Sequence, residues 1–503
     1  MRPPALRRRQ NEPATGPRYR RIRMAGSVIP PMSSDASPTG TRRRRVGRLP
    51  VVLVAGVTGM AILGAGIART AVLGVNPPNP SFAPVVAAGA SASIAARSPT
   101  STSAPNASPS TAPGSSSLTG SPPPSPDLRP SPSASPASTD LAALAPRLQA
   151  TLDRVRAKLG IPGISVTILL PRGETWAGSS GLADVARKTP VGPDTAFAYA
   201  SISKTFTSAL ILQLVGEGRL HLGDSAARLL PPLRFRLDPR ITIAMLLDHT
   251  SGLADYFLNA KIDRPLQARP TATWTADDAL AYVGKRVAPP GKAWHYANTN
   301  YLLLGLIAER VTGEVLGDAV RTRLLEPTGL DGTWSQVDEP AGPTLAHGYR
   351  LNGTKPTARP IDLADGSGIA PFRSVVTAAG GAGAMAGTSG DLARWARALY
   401  SGRVLGPIGT ALLLSDFNKT RSYLPGVTYG YGVQALSIDG HPSLGHSGRL
   451  LGFRGAVRHL PLDGVTIAVL TNQSRADPAV VVRSLLKVVL PAPAACPTCP
   501  LPG

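Results

Sequence analysis

Ser201-Ile-Ser-Lys204 leads into Thr205-Phe-Thr-Ser-Ala-Leu-Ile-Leu-Gln-Leu-Val-Gly216, and how this stretch is read decides the fold. The apolar run Ala209-Leu-Ile-Leu212 predicts a helix buried at the centre of a domain, because a surface helix keeps one face polar. At the start of that helix Ser201 and Lys204 stand three residues apart, a spacing that sets hydroxyl and amine on one face. A serine is a poor nucleophile until a base takes its proton. Lysine can act as that base only as the neutral amine, and burial lowers its pKa toward that form. The plainer alternative makes Ser201 a helix cap and Lys204 a solvated first-turn residue.

The spacing alone is weak, since Ser484-Leu-Leu-Lys487 has it too, and His221-Leu-Gly223 matches the last of the strings below. Its weight comes from order. Tyr296-Ala-Asn298 is the only Tyr/Ser-x-Asn in the chain; one Ser-x-x-Lys precedes it by a domain-sized gap, and one His-x-Gly, His446-Ser447-Gly448, follows it. A phenol becomes a useful base when a cation stabilises its phenolate, and Lys204 is the candidate cation for Tyr296. Asn298 offers a donor and an acceptor to hold a substrate amide. Alternatively Asn298 caps the following helix and Tyr296 packs, although Asn300 and Tyr301 are placed for those jobs. Gly448 lets a substrate backbone approach a strand closely, and a backbone N–H there can join that of Ser201 as an oxyanion hole. Gly445-His-Ser-Gly448 is not a nucleophile elbow, which needs G-x-S-x-G, because residue 449 is arginine.

Outward from this stretch, Leu141, Leu144, Leu148, Leu152, Val155 and Leu159 recur at helical spacing and stop at Gly160. Residues 163–170 read as a buried strand, Pro171-Arg-Gly-Glu174 as a turn and 175–181 as the hairpin partner. The middle, about 202–400, reads as mostly helical; a helix is expected over 302–309, with Asn298 in the loop before it. Strand patterns return at 431–438, 443–446, 454–460 and 465–472, and a last helix at about 478–489. The pattern predicts an α/β (α+β) fold: a mixed antiparallel sheet drawn from both ends of residues 140–493, flanked by helices, with an inserted all-helical subdomain.

The first third is different. Thirteen of the first fifty residues are arginine against Glu12 and Asp35, so about half of the formal +23 lies there. Residues 51–68 are free of charge and lie directly behind Arg42–Arg45 and Arg48, approaching the ~20 apolar residues that cross a ~30 Å hydrocarbon core. The reading is a basic cytoplasmic tail (1–48), a single transmembrane anchor (49–75) and everything beyond it outside the cell, since cytoplasmic flanks carry the arginine excess. Cleavage near Gly66-Ile-Ala68, giving a secreted protein, is the alternative. This placement turns the basic charge toward a membrane and away from nucleic acid. Residues 76–139, rich in Pro, Ser and Ala, cannot bury enough apolar area to order; as a coil they would span roughly 45 Å. Cys496 and Cys499, in the tail 494–503, read as a small local disulfide, with no partner His or Cys near them for zinc.

With these strings quoted, the chain resembles the serine β-lactamase and penicillin-recognising D-Ala-D-Ala peptidase superfamily, in its class C-like branch. Leu246-Leu-Asp-His-Thr-Ser-Gly-Leu253, Gly380-Gly-Ala-Gly383, Asp391-Leu392, Tyr429-Gly-Tyr-Gly432 and Gly452-Phe453 are similar to strings of that branch. The resemblance, over about 140–493, implies Ser201 as acylated nucleophile, Lys204 as general base and Tyr296 as proton shuttle. It further implies that Asn298 orients the acyl amide, and that His446, Ser447 and Gly448 form the third motif with the Arg449 backbone in the oxyanion hole. No cofactor or metal is implied, and the partner is a small-molecule or peptide substrate. Histidine at 446, where the branch's β-lactamases usually have lysine, favours a membrane-tethered D-alanyl-D-alanine carboxypeptidase-like enzyme. A β-lactamase or esterase, and a non-catalytic wall-binding or β-lactam-sensing module, are the alternatives. Oligomeric state is not implied.

Overall fold

Two long antiparallel strands from one end of the domain, Gly163–Leu169 and Thr175–Asp184, share a sheet with four long strands from the other end. The seam lies between Gly163–Leu169 and Val465–Thr471, in register from Ile164 opposite Thr471 to Leu169 opposite Thr466. Every residue of both seam strands is buried, so both faces of the sheet are covered there. The computed structural model describes residues 141–490 apart from 341, 416 and 420–425. The expected tail (1–48), anchor (49–75), linker (76–139) and cysteine tail (494–503) lie outside the described residues. Among the described residues no helix is long and apolar enough to cross a membrane.

The sheet has nine strands, in the order 189–190, 175–184, 163–169, 465–471, 453–460, 441–450, 434–438, 428–429 and 418–419. Its long strands are joined by short turns, which enforce antiparallel pairing. Side chains alternate between its faces. Ile164, Val166, Ile168, Ile467 and Val469 face one core, closed by the helices Leu141–Leu159 and Pro478–Val489. The first of these buries Leu148, Thr151, Leu152 and Val155, the face read from its spacing, and ends at Gly160 in the left-handed region (φ 62°).

Ala468, Leu470 and Val457 face the other core, which contains Ile202, Phe206 and Trp395. There the helix Lys204–Gly216 buries ten of its residues, as its apolar run predicts. The block between Pro190 and Asn418 is mainly helical but not wholly so. It adds a three-stranded sheet (197–198, 385–387 and 333–335) and a two-stranded one (349–351 and 360–362). Strands of two or three residues carry no period by which a sequence could announce them.

One detail of register shapes the site. The strand Gln434–Ile438 pairs with His441–Leu450 only from Ile438 opposite His441 to Gln434 opposite Gly445. The strand Phe453–Leu460 pairs along the other side as far as Leu450. Among the described residues, His446–Leu450 is therefore the edge of a sheet that is closed elsewhere along the same strand.

Candidate active site

Ser201 lies in a 3-10 turn, Ala200–Ser203, and Lys204 opens the helix that follows. Ala200 has φ 52°, a left-handed conformation that strains a residue with a side chain and so sharpens the turn immediately before the serine. The strand 441–450 packs on this turn: a Cβ on Gly448 would lie 2.2 Å from the carbonyl oxygen of Tyr199. Only glycine lets the two backbones come so close, which places the open strand edge beside Ser201.

Lys204 is completely buried, yet its amine has three acceptors. Nζ lies 3.1 Å from Ser201 Oγ, 2.8 Å from Asn298 Oδ1 and 2.7 Å from the carbonyl oxygen of Ala382. Burial brings its pKa down to about 7, with the charge of Asp255 pulling it upward. This geometry suits both forms of the amine. The ammonium gives one hydrogen to each acceptor; the neutral amine gives its two to Asn298 and Ala382 and turns its lone pair to the Ser201 hydroxyl.

The Tyr296 ring is buried, with Lys204 Nζ 5.0 Å from its centroid; Tyr301 stands 5.6 Å from the same amine. Asn298 lies not in a loop but at the first position of the helix Asn298–Thr312, four residues earlier than its sequence suggests. The reason is Asp255, a buried carboxylate that accepts from the Asn298 main chain and, at 2.9 Å, from its side-chain Nδ2. It does at that helix start what Ala297 has no side chain to do. Burial raises Asp255 to about 6.

The third string is placed in two ways. The His446 ring is buried, its Nδ1 donating to the Ser447 carbonyl at 2.7 Å and its Nε2 accepting from the Tyr429 hydroxyl at 2.9 Å. Burial first, then the Lys204 charge, lower it to about 3, so the ring is neutral. Ser447 and Arg449 remain accessible. The Ser447 N–H points to Gln434 Oε1 (3.1 Å), on the side where the neighbouring strand ends; by alternation the Arg449 N–H points to the same side. The structure thus unites Ser201, Lys204, Tyr296 and Asn298 and lays Gly448 against the turn, while Ser447 turns its hydroxyl to Gln434 (3.2 Å).

Asp255, Ala382 and Tyr429 bond to Asn298, Lys204 and His446, contacts that the spacing of the three strings did not reveal. Ala382 and Tyr429 lie in family-like strings; Asp255 lies two residues beyond one, a position with no local pattern to mark it. Among the described residues, Asp184, His347 and Asp362 form a trio with metal-ligand spacing, but Arg187 donates to Asp184 at 2.9 Å and His347 Nδ1 lies 2.7 Å from Asp362 Oδ2, so hydrogen bonds within the chain account for the cluster.

A buried lysine beside a serine, under an open strand edge, defines a serine acyl-transfer site. The chain belongs to the Beta-lactamase family, whose profile matches residues 148–489. It is 30% identical over 340 residues to penicillin-binding protein 4 of Amycolatopsis lactamdurans, covering 64% of this chain and 84% of that protein. It is 26% identical to a D-aminopeptidase of Cereibacter sphaeroides over 342 residues, 66% of this chain and 60% of the relative. Among solved structures, a D-stereospecific amidohydrolase from Streptomyces sp. superposes with a TM-score of 0.57 at 28% identity, over 68% of this chain and 98% of that one. The chain is a serine hydrolase of this family, D-peptidase- or amidase-like.

Proposed function

We propose that the chain is a D-alanyl-D-alanine-type peptidase of cell-wall peptide, with Ser201 as nucleophile, Lys204 as general base and Tyr296 as proton shuttle. Ser201 Oγ bonds to the scissile carbonyl carbon as its proton passes to the Lys204 lone pair. The Ser201 and Arg449 backbone N–H groups hold the oxyanion. The C–N bond then breaks, and the leaving amine takes the proton by way of Lys204 and Tyr296. Water adds to the Ser201 ester, gives its proton back along the same route and releases the acid with free Ser201. Asn298 orients the acyl amide, and the substrate backbone lies along the edge at Ser447–Arg449 as an added strand. The observation that carries this reading is the Lys204 amine, wholly buried, lowered to about 7 and 3.1 Å from a reachable serine hydroxyl.

The placement outside the membrane, tethered through 49–75, is part of the proposal and rests on the charge-free run behind the arginine cluster. A second reading, hydrolysis of D-amino acid amides or small esters, is favoured by neutral His446, which brings no cation to a substrate carboxylate.

The test labels the full-length protein with a fluorescent penicillin, chases the label, and then offers a D-Ala-D-Ala peptide, a D-amino acid amide and a nitrophenyl ester. Slow loss of label with peptide turnover is expected. Turnover of amide or ester alone establishes the second reading, and rapid loss of label establishes a β-lactamase. Neither label nor turnover overturns both readings in favour of a non-catalytic module.

A further inference from the structure

Four polar groups form an unbroken line inward from the nucleophile: Ser201 Oγ, Lys204 Nζ, the Asn298 amide and the Asp255 carboxylate, at 3.1, 2.8 and 2.9 Å. The Asn298 amide is the link whose direction is not fixed by its own chemistry. Its oxygen and nitrogen ends are nearly the same shape, and only partners decide which faces where. A carboxylate accepts and cannot donate, so Asp255 admits only the nitrogen end.

We propose that Asp255 is a positioning residue that aims the Lys204 lone pair at Ser201 by fixing the direction of the Asn298 amide. With the oxygen end of Asn298 toward Lys204, the neutral amine spends its two hydrogens on Asn298 Oδ1 and the Ala382 carbonyl, and its lone pair is left for the Ser201 proton. With the amide reversed, an N–H would face the amine and take the lone pair away from the serine. The same arrangement leaves the second Nδ2 hydrogen of half-buried Asn298 for the acyl group of a substrate. The inference rests on Lys204 acting as the base of the proposed reaction.

The surroundings of Asp255 are built to hold it. Oδ1 accepts from the Phe257 N–H at 3.0 Å while Oδ2 serves Asn298. Thr299 Oγ1 donates to the Ala254 carbonyl at 2.6 Å and accepts from the Tyr256 N–H at 3.2 Å, clamping the segment to the start of the Asn298–Thr312 helix. Tyr256 Oη reaches the Ala378 carbonyl at 2.7 Å, at the end of the helix before the turn that contains Ala382. One short segment therefore braces both of the acceptors that the neutral Lys204 amine uses.

Asparagine at 255 is the discriminating change. It has the same shape, but one of its two ends is a donor, so it faces either the Phe257 N–H or the Asn298 Nδ2 with hydrogen against hydrogen. It also removes the one carboxylate whose charge acts on Lys204 among the described residues. The other groups facing Lys204 are Tyr296, Tyr301, His249 and His446; burial holds both histidines low and Tyr301 high, so none of those three is charged near neutrality. Removing a neighbouring negative charge lowers a lysine pKa. The full-length Asp255→Asn enzyme is therefore expected to acylate roughly 10- to 100-fold more slowly at its pH plateau, with its acid limb moved to lower pH. Asp255→Asn added to Asn298→Ala should change the plateau rate by no more than about twofold over Asn298→Ala alone, because at the plateau Asp255 acts through that amide.

An unchanged plateau, an unmoved acid limb or multiplying effects would each overturn the proposal. Where Asp255→Asn melts below the assay temperature, the wild-type protein with nitrogen-15 in its asparagines gives the answer. The side-chain amide resonance lost in Asn298→Ala should move with pH as Asp255 takes up a proton, and a flat response overturns the proposal equally. Normal acylation by Lys204→Ala would instead remove the proposed base. Loss in Lys204→Ala with a wild-type Asp255→Asn would remove only the role of Asp255.

Discussion

Ser201–Lys204 and Ser484–Lys487 have the same spacing, and both lie on helices or at a helix start, yet the chain treats them as opposites. At the first, the amine is wholly buried among Ser201, Asn298 and Ala382. At the second, Ser484 Oγ bonds back to the Val480 carbonyl of its own helix at 2.7 Å. Lys487 is 67% exposed there, with Nζ 3.7 Å from Asp439. The helix Pro478–Val489 turns Val481, Val482, Leu485 and Leu486 to the core, which leaves Ser484 and Lys487 on its outer side. Three-residue spacing selects a face and nothing more. The chemistry is made by what distant segments bring to that face.

The comparison is broken most directly by removing each serine. Ser201→Ala is expected to abolish covalent labelling by a penicillin, and peptide mapping of the wild-type adduct should find Ser201. Labelling that survives in Ser201→Ala would end the assignment of the whole site. The lysines come next. Lys204→Ala should slow acylation by roughly 10²–10⁴-fold, the usual contribution of a positioned acid–base group, while Lys487→Ala leaves it near wild type. Alanine is the best helix former, so the helix itself should tolerate the change. Stopped-flow acylation of the two variants, with circular dichroism as a fold control, separates them; equal rates would erase the distinction.

What distinguishes the two sites was only partly legible in the sequence. The central burial of 204–216 could be read from Ala209–Leu212, the first helix from its leucines and Gly160, and the late strands from their apolar runs. Those signals are local and periodic. The strand holding His446 runs over ten residues, His441–Leu450, longer than its pattern shows, because Gly445, Gly448 and Arg449 are kept in it by pairing with Phe453–Leu460. Asp255 is separated from Lys204 by fifty residues, the rest of the central helix and then loops and short helices, and only the folded chain shows that it holds Asn298. The strain at Ala200 is equally invisible, since alanine does not signal a left-handed backbone as glycine does.

A smaller effect sharpens the comparison through pH. Lys204 serves as a base only when neutral, and burial brings it to about 7 against the upward pull of Asp255. Below that pH the amine is protonated and its lone pair is occupied. The acylation rate should therefore rise with pH through an apparent pKa near 7, falling about tenfold for each unit below it. Presteady-state labelling across pH 5 to about 9 tests this. A limb centred near the ordinary lysine value, or no limb at all, would mean that the buried amine is not the group that takes the proton.

The smallest expected effect is at the other serine. Ser484→Ala should leave acylation within a few-fold of wild type. Its hydroxyl bonds within its own helix at 2.7 Å and meets neither core nor site. Removing a hydroxyl that competes for a helix carbonyl, in favour of alanine, should move stability by no more than about 0.5 kcal/mol in either direction. Thermal melting and the labelling rate measured on one preparation check both statements, so a loss of activity could not be attributed to unfolding. A folded Ser484→Ala protein that no longer acylates would show that the outer helix, and not the Lys204 cradle, supplies the nucleophile.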